Sequence, residues 1–122
     1  MRKYDREIVD ELNKECRGRT IHFVGLGAHD FQLSFGVKIQ NTRKVVFSLR
    51  GNKHSWEEGP TDIPVWLLIG QVPERFELPT AFALRVCLES GDYVEFCTDQ
   101  GNYESTTIDF GTRDGAQAME IY

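Results

Sequence analysis

The chain has few cysteines, and those present form no pattern. Cys16, Cys87 and Cys97 are irregularly spaced, with no C-x-x-C pair and no cluster with histidine. Such a set argues against a disulfide framework and favours a reducing compartment. Long apolar runs are also missing: the longest covers residues 65–69, and none follows Met1 as a secretory signal would. We therefore expect a cytoplasmic protein with no membrane segment.

Positive charge is scarce in the second half of the chain. Residues 56–122 contain three Lys and Arg against thirteen Asp and Glu, a net charge of −10, whereas residues 1–55 carry +5. An asymmetry of this kind concerns partners and encounter rates rather than the fold. It favours a basic protein surface as partner and disfavours nucleic acid, although acidic residues also simply keep a β-rich domain soluble.

The first predicted element is a helix over residues 6–17. Asp5 is placed to cap its first turn, and Gly18 is suited to the left-handed residue that follows a helix. One apolar stripe recurs every four residues: Tyr4, Ile8, Leu12 and Cys16.

Strict alternation predicts one long strand over residues 31–39, with one buried face. A turn at residues 41–43 then leads to a second strand over 45–49. The register of that hairpin pairs Ile39 with Val45, Val37 with Phe47 and Phe35 with Leu49. Residues 51–62 read as a polar loop, and Asp62 as the cap of a short helix from Pro64 to about Ile69 that ends at Gly70.

The second half reads as a β-meander. Strands over 83–88 and 92–98 are joined by a turn at 89–91, which pairs Leu84 with Phe96, Arg85 with Glu95 and Val86 with Val94. In this register Cys87 and Cys97 share a face without being opposite, so no bridge is expected. A second turn at 99–101 pairs Phe96 with Glu104, Val94 with Thr106 and Asp92 with Ile108. A last strand covers about 118–121.

These elements predict a single α+β domain over residues 1–122. Its N-terminal helix packs on a curved, mostly antiparallel sheet of six or seven strands, built from two hairpin or meander halves with a short middle helix. Residues 18–50 and 70–110 follow a similar plan, which indicates either an ancient duplication or simply two hairpins in one sheet.

The sequence offers little catalytic chemistry. Gly25 and Gly27 lack the third glycine and the helix of a dinucleotide fingerprint, so they indicate a turn. His22 and His29 have no evident third ligand, and metal sites need three or four. We therefore predict no catalytic residue, metal or cofactor; the alternative is a small-molecule-binding or enzymatic domain that uses His22 and His29. A small basic patch near Trp56, a weak sign of nucleic-acid binding, comprises Arg43, Lys44, Arg50 and Lys53.

Recognition of a protein is the remaining hypothesis, because aromatic side chains surrounded by carboxylates make effective interfaces. The alternative is a solvated sheet face. The predicted aromatic anchors are Trp56, Tyr93 and Tyr103. The predicted charged contacts are Glu57, Glu58, Asp62, Asp92, Glu95, Asp99 and Glu104.

The run LLIGQVPERFEL followed by LRVCLESGDYVEFCTDQGNYESTTIDFG resembles small bacterial immunity proteins encoded beside polymorphic and contact-dependent growth-inhibition toxins. The likeness covers about residues 67–110 and rests on Leu68, Gly70, Leu84, Val86, Leu88, Gly91, Asp92, Tyr103, Glu104 and Ser105. It implies a non-catalytic cytoplasmic protein that binds one cognate toxin domain, often a nuclease, and blocks its active site. We expect a monomer when free; the further alternative is a structural or regulatory subunit of a bacterial complex.

Overall fold

The structure, a computed structural model, describes residues 3–16, 18–98, 105–113 and 115–122. These residues form one α-helix, ten strands and one 3₁₀ turn. The helix is α1 (Arg6–Glu15), and the 3₁₀ turn is Val65–Leu68. The strands are β1 (Phe23–Leu26), β2 (Phe31–Ser34), β3 (Lys38–Asn41), β4 (Val45–Leu49), β5 (Asn52–Trp56), β6 (Pro73–Thr80), β7 (Ala83–Leu88), β8 (Tyr93–Cys97), β9 (Thr106–Arg113) and β10 (Ala116–Ile121).

The strands form two antiparallel sheets that enclose the core. Sheet A has the order β1-β2-β3-β9-β10, and sheet B has the order β5-β4-β8-β7-β6. The Phe31 ring of sheet A meets the rings of Phe47 and Phe96 in sheet B, with centroids 5.1 and 6.0 Å apart. The predicted antiparallel α+β class is confirmed. The single curved sheet is wrong, because the chain leaves sheet A after β3 and enters sheet B at β4.

Helix α1 begins where its cap residue predicts. Asp5 accepts a hydrogen bond from the Ile8 amide at 3.0 Å, and the helix ends two residues earlier than expected. Its apolar stripe is buried in the core. Asn13 fixes the helix to β6, because its side chain accepts from the Phe76 amide at 2.9 Å and donates to the Phe76 carbonyl at 3.3 Å.

The predicted long strand over residues 31–39 is a hairpin. Strands β2 and β3 pair with Leu33 opposite Ile39, and the chain reverses at Gly36, which has φ +94°. Phe35 and Val37 flank this glycine and are both buried. The predicted pairing of Ile39 with Val45 is therefore wrong; Val45 pairs with Phe96 and Trp56 instead.

The predicted loop over residues 51–62 begins with a strand instead. Strand β5 pairs with β4 through a two-residue turn, Arg50 and Gly51, both with positive φ. This turn suits a tight hairpin, because its backbone twist matches that of the flanking strands. Only the part of the predicted loop after Trp56 is irregular.

The β7–β8 hairpin has the predicted register, with Leu84 opposite Phe96 and Arg85 opposite Glu95. The next predicted pairing is wrong. Strand β9 lies in sheet A, where Thr106 pairs with Asn41 rather than with Val94, and Ile108 pairs with Ile39 rather than with Asp92. The turn predicted at 99–101 and Glu104 lie outside the described residues.

The short middle helix is present as the 3₁₀ turn, followed by Gly70 with φ +87°. Its N-cap is Pro64, so the predicted capping role of Asp62 is wrong. Strand β10 begins two residues before the predicted start. No helix in the described part of the chain is long and apolar enough to cross a membrane.

Candidate protein-binding surface

Trp56 does not lie on the surface. Its side chain is 4% exposed and belongs to the core, and its Nε1 donates to the Gly59 carbonyl at 2.9 Å. The expectation of an exposed anchor at this position is corrected. Trp56 instead fixes the start of the loop that follows β5, because its indole bonds to the backbone three residues later.

Asp92 is also internal, with 8% of its surface exposed. One carboxylate oxygen accepts from the Arg50 amide at 2.9 Å, and the other accepts from Gln71 Nε2 at 3.0 Å. The carboxylate thus links the β4–β5 turn to the segment before β6. We correct its predicted role as a contact residue to a structural one.

The outer face of sheet B is not acidic. The Arg85 guanidinium lies 2.8 Å from Glu95 and 4.2 Å from the centre of the Tyr93 ring, so both predicted contact residues are already engaged. A shallow depression of about 350 Å³ on this face is lined by Lys44 and Lys53 together with these three residues. Three cations and one carboxylate line this depression, and Glu77 of β6 also lies 3.5 Å from Arg85.

Glu57, Glu58 and Asp62 remain as exposed carboxylates of the predicted set. They belong to the loop between β5 and the 3₁₀ turn. Glu58 lies 3.6 Å from His29 Nδ1, and both side chains are mostly exposed. Three further predicted contact residues, Asp99, Tyr103 and Glu104, lie outside the described residues.

This loop and the 3₁₀ turn follow the free edge of sheet A. The Gly59 amide donates to the Ala28 carbonyl at 2.8 Å, just beyond the end of β1. At the other end of β1, the Gly70 amide donates to the Ile21 carbonyl, also at 2.8 Å. The segment 59–70 therefore runs antiparallel beside β1, held at both ends by backbone hydrogen bonds.

Large apolar side chains are exposed along this edge. Trp66 is 65% exposed, Ile69 48% and Phe23 48%. The Phe23 ring lies so close over Gly25 that a Cβ there would come within 2.9 Å of Phe23 Cε1. We name this region the β1-edge surface; it comprises Phe23, Glu57, Glu58, Asp62, Trp66 and Ile69.

The apolar part of the β1-edge surface was missed from the sequence. Trp66 and Ile69 belong to the longest apolar run of the chain, a pattern typical of buried structure. The 3₁₀ turn is four residues long and buries only Leu68 completely. A signal was available in the sequence, because consecutive residues of a helical turn point to different sides and five apolar residues in a row cannot all face the core.

The histidines do not converge on a site. His22 Nε2 lies 3.5 Å from Ser34 Oγ, and His29 contacts Glu58. Within the described ranges, no three side chains of His, Cys, Asp or Glu are grouped as metal ligands. Cys87 and Cys97 are free thiols. Burial raises the pKa of the Cys87 thiol to about 11, and nearby Glu77 adds to the rise. This thiol is therefore protonated at neutral pH and a poor nucleophile.

The fold and surface together define a two-sheet β-sandwich with one packed helix and an exposed apolar edge beside an acidic loop. Comparisons with protein-family models, with curated proteins and with solved structures gave no significant match.

Proposed function

We propose that this protein is an immunity protein, which binds a cognate toxin domain through the β1-edge surface and so neutralises it. Trp66 is the central anchor, and Phe23 and Ile69 are further exposed apolar side chains along the same edge. Glu57, Glu58 and Asp62 form a charged rim that attracts a basic toxin surface. The protein acts by occupying that surface, without catalysis of its own, in the cytoplasm and as a monomer when free.

The observation that carries the proposal is the exposure of Trp66. Exposure of a tryptophan side chain to water is unfavourable, since its burial against a partner would contribute about 2–3 kcal/mol or more to the free energy of binding. Trp is also enriched among the few residues that dominate binding energy at interfaces. Exposed Phe23 and Ile69 extend the apolar area, which favours a docking surface over an isolated exposed residue.

The rim charges support a basic partner. The loop from Glu57 to Asp62 contains three carboxylates and no Lys or Arg. Charges at the margin of an interface mainly raise the association rate of an oppositely charged partner. A nuclease fits this requirement, because its active site must attract phosphates. Together with the sequence likeness over residues 67–110, this supports immunity over a purely structural role.

The test uses the toxin candidate that the proposal implies: the variable C-terminal domain of a large secreted protein encoded directly upstream. Coproduction of this chain should restore growth to cells that produce that domain. Trp66→Ala should weaken binding about 30-fold or more, consistent with loss of a central anchor. Tyr93→Ala, on the outer face of sheet B, is the control and should leave the Kd unchanged.

Charge reversal tests the contribution of the charged rim to binding separately from that of Trp66. The triple variant Glu57→Lys, Glu58→Lys, Asp62→Lys should slow association about tenfold at low salt and remove most of its salt dependence. A control with the same change in net charge is Asp10→Lys, Glu74→Lys, Glu89→Lys. Equal effects of the two triples would refute the assigned surface. Absence of such a gene, or a domain that does not bind, would refute immunity itself.

A further inference from the structure

Strand β5 forms one edge of sheet B. In the described part of the chain it pairs with β4 alone, whereas β6, at the opposite edge, is contacted by helix α1. The segment that follows β5 leads away to the end of β1, where the Gly59 amide donates to the Ala28 carbonyl. Asn52, Lys53 and Ser55 of β5 are exposed. This edge of sheet B is therefore open to solvent.

The register of β4 and β5 determines which backbone groups of β5 point away from the sheet. The two-residue turn makes Leu49 and Asn52 a hydrogen-bonded pair. Because antiparallel pairs alternate between bonded and non-bonded, Lys53 and Ser55 are non-bonded positions whose N–H and C=O groups point outward. No hydrogen bond joins these groups to another described residue. Donors and acceptors for a further strand are thus present at this edge.

Positive charge accompanies these backbone groups. Lys44 and Lys53 line the depression on the outer face of sheet B, and neither forms an ion pair with a described residue. The carboxylate of the depression, Glu95, is bound to Arg85 at 2.8 Å. Glu57 borders a neighbouring depression together with Lys44, but the two form no ion pair. The side of the depression next to β5 thus presents two lysines that no described carboxylate binds.

We propose that strand β5 binds an extended acidic peptide segment of another protein, which adds to sheet B antiparallel to β5. The backbone groups of Lys53 and Ser55 supply the main-chain hydrogen bonds, as in other cases of strand addition. Both sheets of the molecule are antiparallel, and this pairing is slightly more stable per residue than the parallel one. The inference concerns a second surface and does not depend on the proposed function.

The geometry of the edge determines the side-chain pattern of the segment. Residues directly opposite each other in an antiparallel ladder lie on the same face of the sheet. A carboxylate opposite Lys53 therefore meets its ammonium group, and one opposite Ser55 extends over the depression toward Lys44. The residue between them lies on the other face, opposite half-buried His54, where an uncharged β-branched side chain such as threonine fits. A segment that alternates acidic residues and threonine satisfies both faces.

The two lysines also disfavour other occupants of this edge. Lysine on an edge strand hinders the addition of apolar strands, because its charge would lose contact with water. Pairing of β5 with β5 of a second copy would bring Lys44 and Lys53 of both chains to one face. Like charges at adjacent positions of a sheet are unfavourable. The charge therefore favours an acidic segment from a different protein.

The probe is a labelled peptide with blocked ends that is as long as β5, with five residues that alternate threonine and glutamate. We expect saturable binding by fluorescence anisotropy, slower hydrogen exchange of the Lys53 and Ser55 amides, and no binding of the matching threonine–lysine peptide. Two N-methylated versions keep the charge. Methylation of the glutamate amides, which face β5, should abolish binding, whereas methylation of the threonine amides, which point away, should preserve it.

Variants of the protein test the charge and the backbone separately. Lys53→Glu should weaken peptide binding about tenfold or more. The control Lys14→Glu makes the same change in net charge on α1, beside the opposite edge of sheet B, and should change the Kd less than about twofold. Ser55→Pro keeps the charge and removes one outward donor. Because that amide does not bond to β4, the fold should persist by circular dichroism while binding is lost.

Trp66→Ala should leave peptide binding intact, which separates this result from the fate of the proposed function. No binding of the glutamate peptide, equal binding of both N-methylated peptides, or equal effects of Lys53→Glu and Lys14→Glu would overturn the inference. Full binding by a folded Ser55→Pro protein, or self-association through β5, would overturn it as well.

Discussion

Asn41 is the residue on which the crossing between the two sheets depends. It is fully buried, and its Nδ2 donates to the carbonyls of Lys44 and Cys97 at 3.1 and 3.3 Å. Its Oδ1 accepts from Thr106 Oγ1 at 2.6 Å. Since the Thr106 hydroxyl donates to Asn41, it must accept from the Tyr4 hydroxyl, also at 2.6 Å. The network joins Tyr4, just before α1, to Asn41 and Thr106 of sheet A and to the backbone at one end of β4 and β8.

Removal of Asn41 should therefore cost more than removal of the Tyr4 hydroxyl. Asn41→Ala removes three buried hydrogen bonds at once, including the one that Asn41 donates to the Cys97 carbonyl, and we expect a loss of about 2–4 kcal/mol. Tyr4→Phe removes one donor while the Thr106 hydroxyl keeps its bond to Asn41, and about 1 kcal/mol is expected. Urea denaturation measures both. Equal losses would contradict the central position of Asn41 in the network.

At the scale of elements, the β2–β3 hairpin shows why the alternation of apolar residues wrongly predicted one long strand. Alternation over residues 31–39 is strict, and every apolar residue in it is buried as predicted. The alternation does not reveal that the chain turns back at Gly36, because Phe35 and Val37 both remain in the core. A glycine on the polar face was the signal for the reversal. A Cβ at Gly36 would meet the Arg19 guanidinium at 2.2 Å, and φ is positive there.

The pairing of β7 with β8 was predicted correctly and the pairing of β9 was not, and both outcomes have one physical cause. The first hairpin is local, so its turn and its apolar faces define the register without reference to the rest of the chain. Strand β9 pairs instead with β3, more than sixty residues earlier. A pairing so distant leaves no signal in local spacing. The candidate site shows the same difference between local and distant features. The acidic loop can be recognised in the sequence, whereas its position beside β1 cannot.

The β4–β5 turn gives a prediction at this scale. Arg50 and Gly51 have φ values of 51° and 84°, and a Cβ on Gly51 would meet no atom within 4 Å. Gly51→Ala should thus destabilise the protein by about 1–2 kcal/mol through backbone strain alone. Arg50→Gly should leave stability unchanged or raise it by up to about 1 kcal/mol, because it removes strain that already exists. Thermal unfolding of both variants tests this; a destabilised Arg50→Gly protein would contradict it.

For the whole molecule, the charge split of the sequence does not divide the fold into an acidic half and a basic half. Sheet A combines β1–β3 from the first part of the chain with β9 and β10 from the last. A groove between α1 and β10 is lined by Glu7 and Glu11 from one end of the chain and by Glu120 from the other. The depression on the outer face of sheet B combines Lys44 and Lys53 from the first half of the chain with Arg85 and Glu95 from the second. The distribution of charge on the surface therefore depends on the fold, and the sequence alone does not show which of the predicted carboxylates share a face.

Two buried groups should make the whole molecule sensitive to alkali. Burial raises the pKa of Cys87 to about 11 and raises that of Tyr4 well above its usual range. In the unfolded chain these groups lose their protons near pH 8.5 and 10. Between the unfolded and folded pKa values the unfolded state binds fewer protons, so the free energy of unfolding falls as pH rises. The stabilisation is complete below the unfolded pKa and is lost as pH approaches the folded one.

We therefore expect stability to decline from about pH 9 upward under reducing conditions, by about 1–2 kcal/mol for Cys87 once screening by solvent is allowed for. Cys87→Ser does not titrate in this range, so its decline between pH 9 and 11 should be shallower than that of the unmodified protein. Tyr4→Phe should instead flatten the decline above pH 10 and leave the lower range unchanged. Urea midpoints at pH 7, 9 and 11 provide the measurement. Parallel curves for all three proteins would show that neither group is protected from ionisation by its burial.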